Sequence, residues 1–137
     1  MKKKKANFSI DSSWLDYANE DYNVIEMLIK SQDTFYRTIC FHAQQYVEKI
    51  LKGLLENLKE IPPKSHDIQL LCRLVEQKGF TVPLTKEEIV FLKSVYIESR
   101  YPSNIGLLPQ GEPTKTDAQF AYKIIKKINK WVDTEKE

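Results

Sequence analysis

The chain has 137 residues, 42% hydrophobic and 29% charged, a balance that fits a packed soluble domain and excludes a disordered one. No apolar run approaches the roughly 18 residues that a membrane span needs, and no apolar stretch follows the basic residues 1–5 as a secretory signal requires. The formal charge of +2 comes from the start of the chain: setting Lys2, Lys3, Lys4 and Lys5 aside from the 21 basic residues leaves 17 against 19 acidic ones, which argues against a strongly basic nucleic-acid surface.

Residues 1–11 read as a basic, poorly ordered N-terminus, solvated rather than a binding arm. The rest reads as one domain. Five helical segments follow, with no convincing strand. The first, about residues 13–31, starts after an Asp-Ser-Ser cluster suited to capping. Trp14, Ala18, Ile25 and Leu28 form its inner stripe, and Asp21 falls on that stripe, where a carboxylate must find a partner. The natural partner is Arg100, with Lys49 as the alternative.

The second segment, about residues 34–59, is the longest. Ile39, Cys40, Ala43, Tyr46, Val47, Ile50, Leu51, Leu54 and Leu58 cover a broad half of it, which marks it as the central helix. On the other half His42, Gln45, Lys49 and Lys52 lie within roughly 80° of one another, with Phe41 and Glu48 beside them. A polar stripe is most often a solvated face. This one mixes His, Gln and Phe where Glu and Lys are usual, so a binding face is the rival reading.

After "EIPPKSHD" the third segment, about residues 67–78, is short and stops at Gly79, a C-terminal cap. His66 precedes it, either supporting its first turn or facing an anionic ligand. The fourth opens with the capping box Thr85-Lys-Glu-Glu88 and must end near Arg100, because Pro102 restricts Tyr101. Arg100 is either a cation at a helix C-terminus or a clamp for phosphate or carboxylate. Residues 101–113 hold three of the six prolines and two of the four glycines, a surface loop. The fifth segment, about residues 116–133, buries Ala118, Ala121, Ile125, Ile128 and Val132; Lys123, Lys126, Lys127 and Lys130 read as its solvated face. The expected fold is all-α, an up-and-down antiparallel bundle of four long helices and one short one.

Cys40 and Cys72 fit no metal spacing and sit in apolar helical patterns, which suits a reduced, cytoplasmic protein. No enzyme template is complete, and neither a metal site nor a cofactor is expected.

The ordered run "CFHAQQYVEKILKGLL", "SHDIQLL" and "YIESRYP", with "WLDYANEDY" before it, resembles the HEPN family of small bacterial and archaeal proteins over about residues 14–131. The resemblance implies a five-helix bundle that commonly dimerises and a link to nucleotides or RNA. Many members are encoded beside a small nucleotidyltransferase, and others are ribonuclease toxins. The family's recurring polar positions fall on Gln45, Glu48, Lys49, His66, Arg100 and Tyr101. They define the expected site: Lys49, His66, Arg100 and Tyr101 around a polar cleft against helix two, Gln45 and Glu48 on its floor, and Asp21, His42 and Lys52 in support.

The ribonuclease branch carries Arg, four to six residues, then His near the later helices. Here no histidine follows Arg100 within reach. The match Arg37-Thr-Ile-Cys-Phe-His42 lies on one helix, where residues five apart point about 140° away from each other. The resulting expectation is a non-catalytic, homodimeric binding module that partners a nucleotidyltransferase, in the manner of a toxin–antitoxin pair, with a nucleotide or RNA ligand and no membrane. A metal-independent ribonuclease toxin is the alternative, and a ligand-free dimerisation bundle, with Phe41, Phe91 and Trp131 at its interface, a further one.

Overall fold

The computed structural model describes residue 10 and residues 12–33, 35–98 and 112–136. Arg100 and Tyr101 lie outside the described residues, as do 1–9 and most of the 101–113 segment. Five helices are present: α1 Ser12–Ile29, α2 Tyr36–Asn57, α3 Ile68–Glu76, α4 Lys86–Glu98 and α5 Lys115–Lys136. No strand occurs among the described residues.

Local chemistry sets the boundaries. At α4 the Thr85 backbone N–H donates to Glu88 Oε1 at 2.9 Å and the Glu88 N–H donates to Thr85 Oγ1 at 3.1 Å, the reciprocal capping box that the spacing predicts. Thr114 and Asp117 repeat the device, so α5 begins at Lys115, one residue before the sequence expectation. Asp67 caps α3 by accepting from the Gln69 N–H at 3.0 Å, which leaves no capping role to His66. Gly79 has φ of 99°, as the turn after α3 requires. The end of α2 is less expected: Lys59, not a glycine, takes φ of 68°, and the Glu60 N–H returns to the Leu55 carbonyl at 2.9 Å.

α2 is the central helix and packs on all four others. Residues 50–55 are buried without a break, including Lys52 and Gly53. One amphipathic face cannot bury six consecutive residues, so neighbours cover α2 on all sides there. Contacts fix the directions. Trp14 meets Gly53 and donates its indole N–H to Glu56, while Asp21 meets Lys49, so α1 runs antiparallel to α2. Tyr122 donates to Glu26 at 3.0 Å and Tyr46 to Asn129 at 3.3 Å, which sets α5 antiparallel to α1 and alongside α2. Lys127 on Glu88 and Phe120 edge-on to Phe91 make α4 antiparallel to α5. The four long helices thus alternate up and down.

The short helix is placed differently. The Pro62-Pro63 link folds back along α2 and brings His66 beside Glu48, while Lys78, past the end of α3, reaches Glu60 at 2.7 Å. α3 therefore runs in the direction of the second half of α2. Both thiols are buried: burial, with smaller help from Glu76 and Asp67, pushes Cys72 up to about 12, and burial with Asp117 pushes Cys40 higher still. Phe91 and Trp131 pack against the core, and Lys127 is ion-paired to Glu88 rather than merely solvated.

Candidate functional site

The polar stripe of α2 resolves into two groups, each built on a buried carboxylate. The first is Asp21, only 5% exposed on the inner face of α1. Its Oδ1 accepts from His42 Nδ1 and its Oδ2 from Lys49 Nζ, each at 2.7 Å. The alternative partner, Lys49, is present, and His42 joins it; His42 and Lys49 sit one above the other because seven residues make about two helical turns. Both partners are partly buried. This group is closed between two helices, and it ties α1 to α2.

The second group centres on Glu48, 6% exposed. Gln44 and Lys52 lie four residues before and after it on the same face. Gln44 Nε2 donates to Oε1 at 3.0 Å and Lys52 Nζ to Oε2 at 2.9 Å. Gln45 Nε2 donates in turn to Gln44 Oε1 at 2.7 Å. The folded-back link then supplies His66, whose Nδ1 stands 2.9 Å from Glu48 Oε2. Its ring stacks on Tyr96 of α4, with centroids 4.8 Å apart and planes 21° off parallel. The His66 carbonyl accepts from Gln44 at 3.5 Å.

The charges balance within each group. Lys49 stands against Asp21 and Lys52 against Glu48, so each buried carboxylate has a lysine beside its imidazole. An ionised carboxylate only accepts hydrogen bonds, so the proton at each contact sits on Nδ1. That leaves Nε2 of His66 outside the Glu48 contact. The two histidines differ in access: the His42 side chain is 27% exposed and that of His66 51%. The Glu48 group is the more open to solvent, through His66.

Of the expected cleft, His66, Glu48, Gln45 and Lys52 belong to one network, whereas Lys49 turns with His42 to Asp21. Arg37, the first residue of the literal Arg-x4-His match, pairs with Glu112 at 3.4 Å, on a different carboxylate from His42. Tyr96 and Gln44 are contributors that the sequence reading missed. Tyr96 opens the run "YIESRYP" and Gln44 lies within "CFHAQQYVEKILKGLL", but Tyr96 follows apolar Val95 and Gln44 sits next to the core half of α2, so neither was placed in the site. Among the described residues no cluster of three or more His, Cys, Asp or Glu is placed to hold a metal ion, and no helix is long and apolar enough to cross a membrane.

Comparison with family models matches the HEPN domain over residues 12–136. Neither the curated proteins nor the solved structures contain a match.

Proposed function

Because the chain belongs to the HEPN domain family, whose members are nucleotide- or RNA-related helical modules, we propose that it is a binding and regulatory module that partners a small nucleotidyltransferase and holds a nucleotide or RNA. The observation that carries binding over cleavage is the separation of Arg37 from His42. Cleavage of a phosphodiester needs a cation and a base at one phosphate, whereas these two side chains are held by Glu112 and Asp21. The half-exposed His66, held on the buried Glu48, is the edge of the polar network left to meet a ligand, with Arg100 and Tyr101 as further members of that site. A homodimer in the cytoplasm is the form in which the module would act.

The test is co-expression with the nucleotidyltransferase encoded beside the gene, affinity purification through one partner, and calorimetry of the product with ATP and with RNA. A stable complex or saturable nucleotide binding is expected. An isolated chain that captures no such partner and binds neither ligand removes the proposal.

One observation favours the ribonuclease reading: a half-exposed imidazole held at Nδ1 by a carboxylate is the arrangement of a general base. Inducible expression should then arrest growth, and His66→Ala and Arg100→Ala should each relieve the arrest. Harmless expression with intact cellular RNA excludes it.

A further inference from the structure

His66 is held by more structure than a half-exposed side chain needs. Glu48 fixes its Nδ1 at 2.9 Å, Tyr96 covers one face at 4.8 Å, and Gln44 holds its carbonyl. The side chain nevertheless remains 51% exposed. Tyr96 takes one face and Glu48 the Nδ1 edge, so the opposite face and the Nε2 edge are the parts of the ring that these two contacts do not use. The support also runs outward from the core. Glu48 keeps Lys52 and Gln44 when the imidazole is removed, so the buried carboxylate does not depend on His66 for a partner.

A fixed aromatic plane, backed by a second ring and open on one side, is what an unstacked nucleobase lies against. The carboxylates beside that plane are already paired, Glu48 with Lys52 and Asp67 with Lys93 at 3.9 Å, so the plane itself is left to the ring's stacking surface. Asp67 occupies the N-terminus of α3 with its own carboxylate, and Glu48 stands at the Nδ1 edge of the ring. The helix end that would otherwise attract an anion is already filled. The geometry points to His66 as a stacking platform for a nucleobase, held flat by Tyr96 and Glu48. This platform rests on the nucleotide- or RNA-associated reading and names the part of the ligand that it takes.

Fluorescence anisotropy with a short labelled adenylate RNA, and with the same ribose-phosphate chain lacking its bases, separates stacking from backbone attraction. The wild-type chain should prefer the base-bearing strand. His66→Ala should weaken that binding roughly tenfold, the loss of one stacked base. His66→Phe, which keeps an aromatic ring over Tyr96 and loses the Glu48 bond, should retain most of it. Equal binding of the baseless strand, or unchanged binding by His66→Ala, overturns the platform and leaves the functional reading standing. Failure of the wild type to bind either strand or ATP removes both.

Discussion

At the scale of single residues, the Asp21 and Glu48 groups show that removing an acid and removing its base are different experiments. Asp21→Asn leaves Lys49 and His42, which are partly exposed and can return to water, so a loss of about 1–2 kcal/mol is expected. Lys49→Met leaves a buried carboxylate with His42 alone and should cost about 3 kcal/mol. Urea denaturation of the two variants should preserve that order; the reverse order would mean that Lys49 is not the partner that holds the Asp21 carboxylate. Lys59 offers the opposite sign. Its φ of 68° is a conformation that suits glycine, so Lys59→Gly should raise stability by about 0.5–1 kcal/mol, read as a higher urea midpoint with an unchanged slope.

At the scale of elements, Glu88 joins the start of α4 to the flank of α5. Burial pushes its carboxyl up, but the Lys127 ammonium and the two Thr85 donors outweigh it and hold the group below its ordinary value of 4.5. A depressed carboxylate stabilises the fold above its unfolded value and loses that contribution as pH falls through the folded one. The stability difference between wild type and Glu88→Gln, about 1 kcal/mol in the neutral range, should therefore stay level above about pH 5.5 and shrink below 4.5. A difference that grows on acidification would reverse the assignment.

This element also shows what the sequence makes legible. Thr85 and Glu88, three apart, specify a helix start by local hydrogen bonding, and so does Gly79 as a stop. Such signals are complete within a few residues. Asp21 was legible as a carboxylate in need of a partner, with Lys49 one of two choices, but the choice between them was not, because the partner comes from another helix. The Lys127–Glu88 pair, the Trp14–Glu56 bond and the Tyr96 stack join residues 39, 42 and 30 positions apart, and no local pattern encodes them. Glu48 was placed beside the polar stripe yet is buried, because the folded-back Pro62-Pro63 link covers a flank that an antiparallel α3 would have left open.

At the scale of the whole molecule, the α1–α2 seam closes on Gly53. A Cβ there would stand 2.5 Å from Ile10 Cγ2 and 2.7 Å from Trp14 Cβ. Alanine would gain about 1 kcal/mol of helix propensity, but the Trp14 Cβ is tied to its own backbone and cannot swing aside. Overpacking costs about 1–3 kcal/mol, so Gly53→Ala should destabilise by about 1–2 kcal/mol net, measurable as a lower melting temperature. A rise would mean that α1 can slide on α2. The buried thiols extend the same architecture into time. A cysteine reacts as thiolate, so a native chain with both thiols held high and out of water reacts with iodoacetamide only when it opens. Cys72 rides on a nine-residue helix that packs mainly on α2 and α4, whereas Cys40 sits on the helix that every other one touches. Mass spectrometry during slow alkylation should find Cys72 modified first, with the two rates merging as urea makes complete unfolding the shared route. The pair of cysteines is a built-in clock: the interval between their modification times measures how often α3 lifts from the bundle while the rest stays folded.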